Sequence, residues 1–247
     1  MRRYNGGVTV IYTEEEIEKK GLGLLNIDWT AEFENIQFSD KFILKWKGIF
    51  SKHDWMVISR YQYMHMRTIH KLADYLDWHE IALRQRLTEH FIERHLDKLN
   101  WEDLSLGQHL KESFIEKHAD EVDWGEISFK NYLTIPFVRK WKDRIIWSNF
   151  SQVYRTYYDA EFCREFADYL DWEEIHEWIW DRFLKKDIDY VREFREYVNW
   201  SEIEENFYFK KEYVREFWNE ISWLYEEDYK HDPKLIKEFD DKLIEET

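Results

Sequence analysis

The chain has 247 residues, 36 Lys+Arg against 52 Asp+Glu, a net charge of −16 and an aromatic content of 19%. Two prolines and seven glycines are too few for the turns of a sheet-rich protein, so an all-α fold is expected. One cysteine, Cys163, excludes an internal disulfide and a cysteine-built zinc site and points to a reducing, cytoplasmic setting, and no apolar run approaches the roughly 18 residues of a membrane span.

Residues 1–26 are expected to form an N-terminal cap. The stretch "VTVIYT" (8–13) reads as a short strand and the Glu-rich run after it as a helix. The basic start lacks the apolar core of a signal peptide.

Residues 27–225 carry a repeat anchored on Trp29, Trp55, Trp78, Trp101, Trp124, Trp147, Trp172, Trp200 and Trp223, spaced 26, 23, 23, 23, 23, 25, 28 and 23 residues apart. An Asp or Asn precedes most of them, as at Asp28, Asp54, Asp77, Asn100, Asp123, Asp171 and Asn199. An apolar residue follows three later, as at Ile58, Ile81, Leu104, Ile127, Phe150, Ile175 and Ile203. In "FCREFADYLDW", Phe162, Cys163, Phe166, Ala167 and Leu170 recur with the period of one helix face. The Asp then reads as the N-cap of a second helix that begins at the Trp. Thr88 and Thr134 are candidate caps of the aromatic-led helices, and Pro136 suits a first turn. A pair of such short helices cannot bury its own apolar face, but stacked pairs can. The expected fold is therefore an α-solenoid of about eight helix pairs. Trp55, Trp78, Trp101, Trp124, Trp147, Trp172, Trp200 and Trp223 are its candidate core. Residues 226–247, with Asp232 as N-cap, Pro233 in the first turn and Leu235, Ile236, Phe239 and Leu243 on one face, are expected to form a capping helix.

Little here suggests chemistry. His95 and His118 occupy a slot that elsewhere holds Leu72, Trp141, Phe166, Phe194 and Phe217, which makes it a core slot. The acids four before each Trp (Asp74, Asp97, Asp120, Asp143, Asp168, Glu196) recur in nearly every repeat, as capping groups do and catalytic groups do not. Cys163 stands where other repeats have Ile or Val, so it reads as a small buried hydrophobe. Phosphate-binding, dinucleotide and nucleophile-elbow motifs are absent. The sequence reading is a non-catalytic protein with no cofactor and no metal.

Charge is what varies along the array. Seven before each Trp the residues run Lys71, Arg94, Lys117, Lys140, then Glu165, Glu193, Glu216. One position earlier they run His70, Glu93, Glu116, Arg139, Arg164, Arg192, Arg215. Most of this reads as ion pairs between neighbouring repeats. Residues 1–147 nevertheless carry 22 − 24 = −2 and residues 148–247 carry 14 − 28 = −14.

The pattern Phe-Ile-x-x-x-x-Asp-x-x-Asp-Trp-x-x-Ile-Ser, best carried by "FIEKHADEVDWGEIS" (114–128), resembles the short Trp-centred repeats in proteins of phages and large DNA viruses. That resemblance implies viral origin, residence in the host cytoplasm and a role in host interaction, such as inhibition of a defence nuclease or a CRISPR effector. Two expectations follow for a partner. A host protein is gripped through the enlarged loops near 150–160 and 178–189, where Trp178 and Trp180 fall off the repeat register beside Asp181, Asp187 and Asp189, with Glu165, Glu193 and Glu216 on the acidic ladder. Alternatively, the acidic half mimics a nucleic acid and occupies a basic groove. A structural or assembly role, including a homo-oligomer, stays open. Direct nucleic-acid binding is disfavoured because a chain of −16 repels phosphates.

Overall fold

The computed structural model describes residues 2–4, 7–9, 12–21, 27–130, 132–153, 159–179, 187–198, 200, 216–217 and 220. Trp223, Asn199 and the expected capping helix at 226–247 lie outside the described residues. The chain divides into two compact units, one of residues 1–127 and 133–140, the other of 128–132 and 141–247.

A small antiparallel hairpin, β1 (Arg2–Tyr4) and β2 (Gly7–Thr9), pairs Arg2 with Thr9. The strand expected over 8–13 thus begins one residue earlier; residues 10 and 11 lie outside the described residues, and Tyr12 and Thr13 are not in a strand. Fifteen helices follow among the described residues, in two alternating sets. The odd set is α1 (Glu14–Lys20), α3 (Asp40–Trp46), α5 (Met66–Lys71), α7 (Glu89–Glu93), α9 (Glu112–Lys117), α11 (Ile135–Trp141), α13 (Ala160–Phe166) and α15 (Ile188–Phe194). The even set opens on the tryptophans: α2 (Trp29–Asn35), α4 (Lys52–Tyr61), α6 (Trp78–Arg84), α8 (Trp101–Gly107), α10 (Trp124–Ser128), α12 (Trp147–Val153) and α14 (Trp172–Ile179). In the first unit α2 packs on α4, α4 on α6 and α6 on α8; in the second, α12 packs on α14. This is the helix-on-helix succession of an α-solenoid. The extra residues of the long spacings fall between α12 and α13 and between α14 and α15.

The core is a double file of aliphatic residues. Ile58, Ile81, Leu104 and Ile127 of the even helices and Ile43, Ile69, Ile92, Ile115 and Val138 of the odd helices are buried in the first unit. Phe150, Ile175, Cys163 and Val191 take those places in the second. The tryptophans sit further out. Trp55 and Trp124 are buried, while Trp29, Trp78, Trp101, Trp147, Trp172 and Trp200 are half-buried. Each regular indole leans on the next odd helix: Trp78 on His95 at 5.4 Å, Trp101 on His118 at 4.6 Å, Trp147 on Phe166 at 5.2 Å and Trp172 on Phe194 at 5.5 Å between ring centres. The indole N–H of Trp78, Trp124, Trp147 and Trp172 donates to the carbonyl five residues back, at 2.8–2.9 Å. A Phe in this place would pack but leave that carbonyl open.

Asp28, Asp77, Asn100, Asp123 and Asp171 accept the third N–H of the helix they open, at 2.7–3.2 Å. Asp54 departs from the pattern. Here α4 starts three residues early, Ser51 is the cap, and Asp54 closes a capping box by accepting Ser51 N–H at 2.8 Å. Thr88 and Thr134 cap their helices as expected, through Phe91 N–H at 3.3 Å and Phe137 N–H at 3.4 Å. The acids four before each Trp do not cap. Asp74 meets Lys98 at 3.6 Å, and Asp143 and Asp168 accept the hydroxyls of Tyr169 and Tyr197.

Three further side-chain devices tie one repeat to the next. The first is a serine four after the Trp: Ser59, Ser105, Ser128 and Ser151 are fully buried and accept the backbone N–H that precedes the next Trp, at 2.9–3.3 Å. The second is a glutamine seven after the Trp. Gln62, Gln85 and Gln108 are 1%, 3% and 6% exposed. Gln85 donates from Nε2 to the carbonyls of Ser59 (3.2 Å) and Gln62 (2.7 Å), and its Oε1 accepts from Met64 N–H (3.2 Å). Gln108 repeats this one step on, with Ala82 O, Gln85 O (2.8 Å) and Leu87 N–H (3.0 Å). Gln62 does the same one step back, with Phe33 O, Ile36 O and Phe38 N–H, each at 2.7 Å. The third is a carboxylate at the start of the odd helices, where Glu14, Asp40, Glu89 and Glu112 accept the N–H of Ser39, His65, Lys111 and Thr134 at the head of the next odd helix. Gly107 is required by contact as well: a Cβ there would stand 2.5 Å from Leu83 Cα, so any side chain would push α8 off α6.

Replacing Gln85 with Leu keeps the volume but leaves two carbonyls and one N–H buried without partners. At about 1–3 kcal/mol for each group, urea unfolding is expected to show a loss of at least about 3 kcal/mol. Gln37→Leu, at an exposed glutamine whose partners water can reach, is expected to cost much less.

Candidate interaction surface

The residues expected to meet a partner are placed unevenly. Trp178 lies on α14, while Trp180 and Asp181 lie outside the described residues. Asp187 is the N-cap of α15, accepting Asp189 N–H at 3.0 Å. Asp189 binds Arg192 at 2.5 Å. Glu165 is exposed on α13. Glu193 takes a two-pronged bond from Arg164, and Glu216 one from Arg192 at 2.5 Å on both oxygens. The bound guanidiniums hold both glutamates below the usual carboxylate range. Of the six described acids and aromatics of this set, Asp187, Asp189, Glu193 and Glu216 thus have structural duties.

Those pairs belong to a ladder. It joins the fifth residue of one odd helix to the sixth residue of the next. In the first unit the rungs are Glu18–Lys45 at 2.7 Å, Glu93–Lys117, and Glu116–Lys140 at 2.9 Å. In the second unit they are Arg164–Glu193 and Arg192–Glu216, the same two places with the signs exchanged. Two rungs of the first unit have no acid: Leu44 stands opposite Lys71, and His70 opposite Arg94. Lys71 and Arg94 have no ion-pair partner among the described residues.

The histidines are packing groups. His95 lies between Phe91 and Trp78, donates from Nδ1 to Phe91 O at 2.9 Å, and therefore accepts at Nε2 from His70 Nδ1 at 3.0 Å. His118 fills the next slot, stacked near Trp101 and Phe114, with Nε2 3.8 Å from Glu93. His79 on α6 reaches Asp103 on α8 at 2.8 Å, and that bond raises its pKa above the ordinary histidine value. Asp103 is itself buried and also accepts from Asn100 Nδ2 at 2.5 Å. Cys163 is fully buried, and burial pushes its thiol up to about 12, so it is protonated at neutral pH. Among the described residues no group of three or more His, Cys, Asp or Glu is arranged to hold a metal, and no helix is long and apolar enough to cross a membrane.

Sequence reasoning missed the glutamine file, although Gln62, Gln85 and Gln108 stand 23 residues apart in the tryptophan register. It also missed a cleft of about 500 Å³ between the head of α4 and the turn after α5, lined by Lys52, His53, Met56, Tyr75, Leu76 and Asp77. Tyr75, Leu76 and Asp77 occupy ordinary repeat positions, so nothing in the repeat pattern sets this cleft apart. No protein-family model matches the chain, and no curated protein and no solved structure matches it either.

Two outcomes test these assignments. Arg164→Glu is expected to lower the melting temperature by placing like charges on a rung, and the added Glu193→Arg is expected to restore it by rebuilding the pair with reversed signs. In a proton NMR titration, His79 is expected to titrate above the usual histidine midpoint and to fall back on Asp103→Asn. Because its folded-state pKa is raised, the stability from the His79–Asp103 bond is full at acid pH, below the unfolded-state value, and is lost as pH rises through the folded-state value.

Proposed function

We propose that this chain is a non-catalytic, protein-binding solenoid whose partner is a basic, nucleic-acid-binding host protein engaged through the acidic second half. One observation carries the reading: the ladders do not consume the acidity. Residues 148–247 hold 14 Lys+Arg and 28 Asp+Glu, so even complete pairing leaves 28 − 14 = 14 carboxylates uncompensated. Such an excess repels itself and opposes folding. A basic partner relieves it. Trp178 and Trp180 add aromatic anchors beside Asp181, with Asp187, Asp189, Glu165, Glu193 and Glu216 as the acidic surround. Inhibition of a host defence protein, such as a nuclease or a CRISPR effector, rests on the resemblance of the repeat to viral proteins and on that alone.

The same excess favours a second reading, a nucleic-acid mimic in which charge rather than shape supplies the affinity. Salt separates the two, because charge attraction between exposed groups is screened as ionic strength rises. The immobilised chain is exposed to host lysate at about 0.1 M and about 0.5 M salt, where the screening length falls roughly twofold. Retention of one nucleic-acid-binding protein at both salts, lost on Trp178→Ala or Trp180→Ala with an unchanged melting temperature, is the expected result. Loss at high salt whatever the residue at 178 and 180 identifies mimicry. Capture of no nucleic-acid-binding protein at either salt overturns both readings.

A further inference from the structure

The cleft at the head of α4 is built differently from the rest of the surface. Its floor is apolar: Leu76 is buried, Met56 half-buried, and Tyr75 presents its ring at 42% exposure. Tyr75 is held from behind by Trp55, 5.1 Å away between ring centres. Its rim is cationic. Lys52 and His53 are exposed and have no hydrogen-bond or ion-pair partner among the described residues. Lys47 lies with Nζ 5.4 Å from the Tyr75 ring centre, which brings a third nitrogen to the same wall. Two carboxylates stand close by and are bound by neutral donors only. Asp77 lines the cleft, but Oδ1 accepts Glu80 N–H at 3.2 Å; Asp54, beside His53, is closed on Ser51.

Several cations of this chain are drawn into ion pairs between repeats. The net charge is −16, and Lys45, Lys98, Lys111, Lys117 and Lys140 each reach a carboxylate on a neighbouring repeat. Lys52 and His53 instead line an apolar hollow, with Lys47 standing against the ring of Tyr75 at its edge. Its volume lies within the range of small-molecule sites, about 300–1,000 Å³. An apolar hollow with a cationic rim is complementary to a ligand with a flat apolar body and one anionic head. A small ligand also suffers little from the repulsion that a chain of −16 exerts on a polyanion.

We propose that this cleft binds a small organic anion, the anionic group held by Lys47, Lys52 and His53 and the apolar body resting on Tyr75, Met56 and Leu76. The site lies wholly in the first unit and is independent of the acidic half. Nothing in it requires catalysis. The cleft is a binding site, and its occupancy is read by affinity.

The test uses the full chain and two fluorescent probes of like shape, 8-anilinonaphthalene-1-sulfonate, an anion, and N-phenyl-1-naphthylamine, which is neutral. The anion is expected to saturate one site and to bind more tightly than the neutral probe. Lys47→Glu and Lys52→Glu are each expected to weaken it about tenfold, a head-group effect of the size of one lost charge contact. Lys52 is the first residue of α4, where a glutamate suits the helix end, so that variant remains folded. Lys71→Glu, which reverses an unpaired cation that does not line the cleft, is expected to leave binding unchanged. The proposal is overturned if Lys52→Glu binds the anion as the unaltered chain does, if both probes bind equally, or if Lys71→Glu weakens binding as much as Lys52→Glu.

Discussion

The ends of short helices govern this structure. Four N–H and four C=O groups of any α-helix find no partner within it. In helices of seven residues or fewer, as all but α4 and α14 are among the described residues, those groups outnumber the ones that the helix pairs internally. A solenoid built from them needs a partner for nearly every turn of backbone, and few waters enter a stack of buried helices. Its repeat is therefore as much a set of end-fillers as a set of core residues.

The division of labour is close to complete in the first unit. Aspartate or asparagine takes an N–H at the head of α2, α6, α8 and α10, Ser51 does so for α4, and glutamine takes the carbonyls at the tails of α2, α4 and α6. Serine takes the N–H before the next tryptophan, and the indole takes the carbonyl ahead of it. Three of these fillers come from a neighbouring repeat or bridge to one. A helix pair removed from the stack loses its apolar face and its backbone partners together, which makes stability a property of adjacent pairs rather than of single ones. Gln108 is the last glutamine of this register in the sequence; the following slots hold Asn131 and Tyr154, which lie outside the described residues. The chain divides into its two units over residues 128–132, around the first of those slots.

The tryptophan register, the aspartate caps and the buried Ile file were legible because each couples a residue type to a helical period. Ser59 and Gln85 were not, although the serine recurs in four repeats and the glutamine in three. A polar residue near a helix end looks solvated in sequence, and only the neighbouring repeat shows that its partner is a backbone group 18 to 26 residues away. The tryptophans read as core because of their size; Trp55 and Trp124 are buried, whereas Trp29, Trp78, Trp101, Trp147, Trp172 and Trp200 are half-buried. Asp54 misled because Ser51, three residues earlier, is an equally good cap and opens a longer helix. Of the acidic surface, composition disclosed the excess and the alternating signs disclosed the ion pairs of Glu193 and Glu216, whereas Asp187 as a cap required coordinates.

The exchange of signs along the ladder has a consequence for assembly. Repeats this alike invite mistakes, since any odd helix presents nearly the same apolar face to any other, and chains with similar modules swap them between copies. The rungs discriminate where the core does not. Were α15 to settle on α9, Glu193 would confront Glu116; were α11 to settle on α13, Lys140 would confront Arg164. Correct neighbours attract wherever a rung is complete, and exchanged halves repel there. The ladder acts as an address, written in surface residues of the repeat that differ between the two halves, and it favours the correct place for each helix of a nearly periodic chain.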